Sequence, residues 1–428
     1  MSSLRLELLP IVMAALAVGC RLTTVGPPAG THATSSPPAL ASSPSPSPTP
    51  VPPPLPAATS ESPRVLATSG PYGMVQFVDE ILPGTFEALL STAGGASWLV
   101  TDQSIAQLVE STWTPYLASY QGQMAGIDSG GRVWVVNQDA TEISAWGGDA
   151  WTTYGAGTGW TAPTASYDRS VRGGQTDALG QVWFATSQDV RAFDGDRWAV
   201  YTPQTMGMGP PEYEDLVARF RVAVMSSETV WVSECDWGGP GPVGGGGIRW
   251  LEDGVWRGAA SPVASGCATT LAVDSLGRIW AGVDSSLWCF DPASGMWQES
   301  GPPESPIAGT RFGYVESLVV DQDDSAWATF SLCGGASCDV YRLLYRVREG
   351  VWTQVGGTGG YDYEPWGPIF DPAGIGWLTW DGGVHRIQGD AAELASPLAG
   401  RSGILDDTGH VWFLARHEDR DALWVLNE

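Results

Sequence analysis

The 428-residue chain contains no lysine, so arginine supplies all 21 of its basic residues. This excludes Schiff-base chemistry and the phosphate-binding lysine of nucleotide loops. Histidine is scarce, with four residues, whereas Asp and Glu number 47 and give a formal net charge of −26. A chain this acidic repels nucleic acid and anionic lipid surfaces. We therefore set nucleic-acid binding aside.

Metal-binding and membrane-spanning patterns are also missing. The apolar stretch at residues 8–18 is shorter than the about 20 residues that a transmembrane helix needs. There is no zinc-type His/Cys cluster and no Gly-x-Ser-x-Gly sequence. Residues 321–324 (DQDD) are superficially similar to a calcium loop but lack its glycine and distal glutamate. We expect no metal and no cofactor.

The first residues, MSSLRLELLPIVMAALAVGC, have the pattern of a bacterial lipoprotein signal in which Cys20 becomes the acylated first residue. An ordinary cleaved signal or a short anchor is the alternative. Residues 21–69 are rich in Pro, Ser and Thr and predict a disordered, extended tether. We expect a signal peptide at 1–20, a tether at 21–69 and a folded domain at 70–428. The protein is then exported and monomeric, and a lipid anchor alone holds it at a bacterial membrane, on the cell surface or in the periplasm.

What the chain does contain is a repeat, marked by eight tryptophans that recur every 35 to 50 residues: Trp98, Trp134, Trp183, Trp231, Trp280, Trp327, Trp377 and Trp412. Five of them end a common phrase, as in DSGGRVW (128–134) and DALGQVW (177–183). The phrase predicts a hairpin in which Asp bonds its own downstream backbone, Gly takes a positive φ, and Trp lies in the next strand.

A second phrase follows five of the eight tryptophans, as in AFDGDRW (192–198) and RVREGVW (346–352). It predicts another strand, a tight turn and a fourth strand, with no helical pattern. Four-stranded repeats of this length are blades of a β-propeller, so the predicted fold class is all-β.

Eight blades are favoured, and seven are possible if the looser copy at Trp98 is only part of a blade. The last copy ends one strand short, and residues 73–79 (GMVQFVD) have the alternation to supply that strand. We therefore predict that the N- and C-terminal strands pair and close the ring.

Strands a to d of a blade alternate in direction, so the a–b and c–d turns lie on one face of the ring. The other face, the long-loop face, carries the b–c and d–a connections, where most length variation falls and where binding usually resides. Its predicted b–c loops are 234–247, 331–340 and 415–421, and its predicted d–a connections are 155–170, 202–219, 299–313 and 354–367. Its aromatic and acidic residues suit a sugar, a peptide or a basic partner, although they could instead pack their own loops. The candidate ligand-binding residues are Trp160, Tyr213, Asp236, Trp237, Tyr361, Tyr363 and Trp366.

Five cysteines follow Cys20, and an exported protein permits disulfides. Cys333 and Cys338 are close in sequence and are expected to bond to each other rather than to hold a metal. Cys235 and Cys267 are the second predicted pair. Cys289, within a strand, is expected to be a buried thiol.

Catalysis has one candidate, His417, which has acids on its C-terminal side and could act as a general base. A solvated charged loop is the alternative meaning of this segment. Paired acids on the same face could in principle hydrolyse glycosides, but that chemistry needs a defined carboxyl separation. We therefore expect a binding protein rather than an enzyme.

The turn-strand phrase and the aromatic strand after it resemble the repeats of two-component-regulator propellers, over residues 90–428. They are similar, more distantly, to streptogramin-lyase-type propellers. The first resemblance implies an extracytoplasmic sensor domain that signals through a partner, and the second would imply a catalytic histidine. We predict a module that binds or senses a glycan, peptide or protein. A propeller enzyme of lyase or glycoside hydrolase type and an envelope or adhesion scaffold are the alternatives.

Overall fold

The computed structural model describes residues 68–69, 72–91, 97–109, 112–116, 122–148, 150–163, 171–208, 217–224, 229–238, 241–258, 268–302, 304–334, 337–359, 368–370, 374–380, 383–396, 400–405, 410–417 and 420–426. The signal peptide and tether predicted at 1–69 lie outside these residues except for Thr68 and Ser69, which pair with the next strand. None of the described helices is long and apolar enough to cross a membrane.

Most of the described residues lie in strands. The chain opens with β1 (Thr68–Ser69), β2 (Tyr72–Phe77) and the one-turn helix α1 (Val78–Ile81). Unit 1 follows with β3 (Phe86–Ser91), β4 (Ser97–Thr101), β5 (Ile105–Val109) and β6 (Thr112–Tyr116). Unit 2 has β7 (Gly122–Ile127), β8 (Val133–Asn137), β9 (Ile143–Trp146) and β10 (Trp151–Tyr154), and a short 3-10 helix (Ala156–Thr158) follows it. Unit 3 has β11 (Arg172–Thr176), β12 (Val182–Ala185), β13 (Val190–Phe193) and β14 (Trp198–Tyr201).

The second half of the chain repeats this order. Unit 4 has β15 (Val217–Val224), β16 (Val230–Gly238), β17 (Gly241–Glu252) and β18 (Val255–Gly258). Unit 5 has β19 (Ala268–Val273), β20 (Ile279–Val283), β21 (Ser286–Asp291) and β22 (Met296–Ser300). Unit 6 has β23 (Thr310–Val320), β24 (Ala326–Gly334), β25 (Ser337–Arg348) and β26 (Val351–Gly359). Unit 7 has β27 (Ile369–Phe370), β28 (Gly376–Trp380), β29 (Gly383–Gln388) and β30 (Ala391–Ser396), and unit 8 has β31 (Gly400–Leu405), β32 (Val411–His417) and β33 (Arg420–Leu426).

Each unit is an antiparallel meander, and we count eight such units among the described strands. Unit 8 takes its fourth strand from the start of the chain, because β2 pairs antiparallel with β33. The predicted closure by the terminal strands is therefore confirmed. The looser repeat at Trp98 forms a four-stranded unit of its own.

Apolar clusters join each unit to the next around a β-propeller ring. Trp134 and Val136 of unit 2 pack with Phe184 and Phe193 of unit 3, and comparable clusters join the other neighbouring pairs up to units 8 and 1. The strand-b tryptophans belong to these clusters and are almost fully buried. These tryptophans therefore form the core between the blades.

In the repeated Asp-to-Trp phrase, the aspartate carboxylate accepts hydrogen bonds from backbone N–H groups of the turn and from the tryptophan indole. In the first complete copy, Asp128 Oδ1 accepts from the backbone N–H of Gly130 at 2.9 Å and of Arg132 at 3.0 Å. Its Oδ2 accepts from the indole Nε1 of Trp134 at 2.8 Å. The bond to the downstream backbone was predicted, and the glycine takes the expected positive φ, as at Gly131 (78°). The indole bond was not predicted, and it explains why Asp and Trp stand six residues apart.

The same indole-to-Asp bond recurs in three further units: Trp183 to Asp177 at 2.8 Å, Trp280 to Asp274 at 3.1 Å, and Trp327 to Asp321 at 2.8 Å. The copy at Asp321 lacks glycine, and Asp324 adopts the positive φ (59°) in its place. The Asp324 carboxylate accepts hydrogen bonds from the backbone and hydroxyl of Ser275 in unit 5, both at 2.8 Å. These bonds hold the pKa of Asp324 below its ordinary value and link two neighbouring units at their a–b turns.

Three of the b–c connections differ from the sequence-based expectation. Residues 234–247 and 331–340 were predicted as long loops, but β16 pairs with β17 up to Gly238 and Gly241, and β24 pairs with β25 up to Gly334 and Ser337. The glycine-rich residues 241–247 pair as part of β17 with bulges in the register, because glycine leaves the backbone free to follow its partner strand. The same holds for 415–421, where β32 and β33 pair up to His417 and Arg420. The long connections of the face are therefore those between strand d of one unit and strand a of the next.

Candidate functional site

Among the candidate ligand-binding residues, the structure describes the side chain of Trp160 alone. Asp236 and Trp237 lie in β16 rather than in a loop, and their side chains fall outside the described residues. Tyr213, Tyr361, Tyr363 and Trp366 lie outside the described residues altogether, as do Cys20 and Cys267. His417 ends β32, and its side chain is not among those described.

The prediction that Trp160 offers an open ring to a ligand is wrong. Its side chain is fully buried, and its Nε1 donates to the backbone oxygen of Ala140 at 3.0 Å. The guanidinium of Arg191 lies 4.3 Å from the centre of its ring, and Asp189 binds that guanidinium through both carboxylate oxygens. Trp160 therefore packs its own connection onto units 2 and 3, which is the alternative that the sequence left open.

The cysteines occupy positions consistent with the predicted pairings, which stay predictions. Cys333 and Cys338 are directly opposed partners across β24 and β25. Cys235 is buried in β16. Cys289 carries a thiol, as expected, and is half-buried in β21 rather than fully buried.

The described part of the long-loop face contains an open cleft of about 730 Å³ between units 5 and 6, here called the 5–6 cleft. One side is the b–c turn of unit 5, with Ser285 and Ser286, and the other is the d–a connection that begins after β22. The start of β23 supplies the remaining wall. Its lining residues are Ser285, Ser286, Gly301, Pro302, Glu304, Ser305, Ile307, Ala308, Gly309, Thr310, Arg311 and Phe312.

Hydrogen bonds fix the connection that forms this cleft. Thr310 Oγ1 donates to the backbone oxygen of Ile307 at 2.7 Å and lies 2.7 Å from Ser305 Oγ. The end of β22 is fixed too, since Trp352 Nε1 of unit 6 donates to Ser300 Oγ at 2.9 Å. The cleft is therefore a shaped surface held by two units rather than the side of a loose loop.

Hydrogen bonds and aromatic packing also fix the unit 5 side of the cleft and the start of β23. Ser286 Oγ donates to the Glu299 carboxylate at 3.0 Å, and the backbone N–H of Val315 donates to the oxygen of Asp284 at 3.2 Å. Phe312 is half-buried, with its ring centre 5.4 Å from that of Phe330. Burial in the same apolar cluster raises the pKa of Tyr345.

Two charged side chains line the cleft without a partner. Glu304 and Arg311 are both exposed, and neither forms an ion pair or a side-chain hydrogen bond with any residue that the structure describes. Most of the described arginines, by contrast, bind a carboxylate or a backbone oxygen, as Arg342 binds Glu316 at 2.7 Å. The cleft thus combines hydroxyls, an aromatic ring and two opposite charges that are open to a ligand.

Metal chemistry has no support within the described ranges. No group of three or more His, Cys, Asp or Glu side chains there could hold a metal ion. His410 is exposed next to β32, and His385 lies in β29, half-buried.

No family model matches this chain. No curated protein matches it either. Solved structures similar to it include a streptogramin B lyase, at 11% identity and a TM-score of 0.43, with 80% of this chain and 94% of the lyase covered. A virginiamycin B lyase from Staphylococcus aureus is similar at 14% identity and a TM-score of 0.44, with 83% and 99% covered.

An extracellular domain of a putative hybrid two component system from B. thetaiotaomicron is similar at 11% identity and a TM-score of 0.40. That alignment covers 80% of this chain and 51% of the other, so this chain spans about half the length of that domain. Both kinds of protein that the repeats resemble thus occur among the structural neighbours. At these identities and TM-scores the likeness says nothing about activity, and the propeller architecture follows from the sheets themselves.

Proposed function

We propose that this protein is an exported, lipid-anchored β-propeller that acts as a binding or sensing module and takes its ligand on the long-loop face. The 5–6 cleft is the observation that supports this function. Its volume of about 730 Å³ lies within the range of about 300 to 1,000 Å³ that is usual for small-ligand sites. A short glycan, a peptide or a loop of a protein partner fits a space of this size.

The construction of the cleft favours binding over a structural purpose. Its walls belong to two packed units and its connection is held by hydrogen bonds within Ser305–Thr310. A ligand therefore meets a surface that is already ordered, which lowers the entropic cost of binding. Strands β14 and β26 end on the same face of the ring, and the aromatic residues of the connections predicted to follow them, Tyr213, Tyr361, Tyr363 and Trp366, are proposed to extend the site.

Blocking the cleft should abolish ligand binding. Ala308 is exposed and lines the cleft, so Ala308→Trp should fill it while leaving the hydrogen bonds of the connection intact. We would screen the folded domain by thermal shift against glycans and peptides. A ligand at 100 times its dissociation constant adds about 2.7 kcal/mol to the free energy of unfolding, and this gain should disappear in the variant.

The matched control is Ala178→Trp. Ala178 is also an exposed alanine in a turn, but it lies in an a–b turn on the opposite face. This variant should keep the ligand-induced shift of the wild type. A ligand that stabilises Ala308→Trp as well as the wild type would refute the cleft as the binding site.

Lipid anchoring is tested independently of ligand binding. If Cys20 carries the lipid, a Cys20→Ser variant expressed in bacteria should move from the detergent phase to the aqueous phase in a detergent partition experiment, because one acyl chain contributes about 0.8 kcal/mol per buried CH₂. Metabolic labelling with a palmitate analogue should mark the wild type alone. A variant that still enters the detergent phase would rule out this anchor.

A further inference from the structure

We infer that the 5–6 cleft recognises a short free peptide through its two charged ends, with Glu304 binding the α-ammonium group and Arg311 the α-carboxylate. This inference rests on the proposed function, since it names the ligand class of the same cleft. Its starting point is that two opposite charges line one cleft and have no partner among the residues that the structure describes.

The first observation is that neither charged side chain forms an ion pair with a described residue. Glu304 and Arg311 both line the cleft, yet they form no ion pair with each other or with any other described residue. In a chain with 47 acidic and 21 basic residues, an arginine has many possible carboxylate partners. An arginine kept open in the same cleft as an open glutamate is therefore suited to a ligand that carries both charges.

The second observation is the strongly negative net charge of the protein. A formal charge of −26 repels an anionic ligand at long range. A free peptide with uncharged side chains has no net charge at neutral pH, so it avoids this repulsion while offering an ammonium and a carboxylate at close range. Arginine binds a carboxylate through paired N–H groups, a geometry that few other side chains offer.

The remaining lining suits the body of a peptide. The hydroxyls of Ser285 and Ser286 and the backbone at Gly309 can bond peptide N–H and C=O groups. Ile307 and the half-buried Phe312 ring offer an apolar surface to a side chain. A volume of about 730 Å³ accommodates a few residues, which limits the ligand to a short peptide and lets both of its ends contribute.

The test pairs chemically capped ligands with charge-removing variants. The probe is alanyl-phenylalanyl-alanine, used free, N-acetylated, C-amidated and doubly capped, and titrated calorimetrically into the exported full chain. We expect each cap to weaken binding to the wild type by about tenfold, as for loss of one charge-assisted hydrogen bond. Acetylation should cost nothing further in Glu304→Gln, and amidation nothing further in Arg311→Gln, because each variant has already lost the partner of that group.

Two matched variants control for changes in overall charge. Arg172, the first residue of β11, is another exposed arginine without a described partner, and Glu393 of β30 is an exposed glutamate of the same kind. Arg172→Gln and Glu393→Gln should bind all four peptides as the wild type does.

The outcomes separate this inference from the proposed function. Caps that cost the same in the variants as in the wild type, or a free tripeptide that does not bind, would overturn the peptide assignment. Oligosaccharide binding that Ala308→Trp abolishes would overturn it too, while leaving the cleft as a ligand site. The proposed function itself fails if ligands bind but Ala308→Trp has no effect.

Discussion

Replacing Trp183 by alanine is expected to lower the free energy of unfolding by about 3 to 5 kcal/mol. The Trp183 side chain is fully buried in the cluster that joins units 3 and 4. Its ring stacks on that of Tyr201 at 5.5 Å between centres, and its indole N–H donates to Asp177. The substitution leaves a cavity between two units and also removes the indole donor from a buried carboxylate.

Denaturant unfolding monitored by circular dichroism would measure this change. Trp183→Phe serves as an intermediate variant, since it keeps an aromatic ring in the cluster but loses the bond to Asp177. Leu179→Ala is the control, because Leu179 lies in the same turn with 63% of its surface exposed and should change stability by less than about 0.5 kcal/mol. A loss below about 1 kcal/mol for Trp183→Ala would contradict the packing between units.

Replacing Gly174 by alanine is expected to destabilise the ring where strands a of units 2 and 3 approach each other closely. Gly174 is the bulged residue of β11, and a Cβ there would lie 2.6 Å from the backbone nitrogen of Ile127 in unit 2. Next to it, Gly173 pairs directly with Gly126 across the two units. The obstructing atoms are backbone, so they can move away only if units 2 and 3 separate.

Gly180→Ala is the control that separates the steric clash from the cost of a positive φ. Gly174 and Gly180 have the same φ of 82°, but a Cβ on Gly180 would meet no atom within 4 Å. Gly180→Ala should therefore cost only the about 1 to 2 kcal/mol of a left-handed alanine. Gly174→Ala should cost roughly 1 to 3 kcal/mol more, the usual penalty for overpacking. Equal losses of unfolding free energy in the two variants would show that the strands do not approach closely at this point.

Much of the fold could be predicted because its signals are local. The Asp-to-Trp phrase specifies a turn through the hydrogen bonds of one aspartate, and the structure places those bonds at Asp128 and in the later copies. The closing strand was equally readable, because residues 73–79 alternate as a strand and the last repeat is one strand short. Long b–c loops were wrongly expected. Glycine-rich segments such as 241–247 are typical of loops, and this one pairs as a strand only because a partner strand lies beside it.

The candidate site was harder to predict, because exposure depends on contacts between units. Trp160 has the sequence setting of a binding aromatic, yet Ala140 and Arg191 enclose it. The 5–6 cleft was missed as a specific site, although its d–a connection was assigned to the correct face. Its one sequence signal was Arg311, a basic residue beside a connection in a strongly acidic chain.

By itself, the sequence determined the four-stranded repeat, the turn chemistry and the closure of the ring, because each depends on hydrogen bonds between residues a few positions apart or on a strand that lacks a partner. The tertiary structure alone decided that Trp160 in its connection is buried, where strands a of units 2 and 3 touch at Gly126 and Gly173, and where two units leave a cleft between them. Those features arise from packing between residues that lie one repeat apart in sequence, and no local pattern encodes the distance between them.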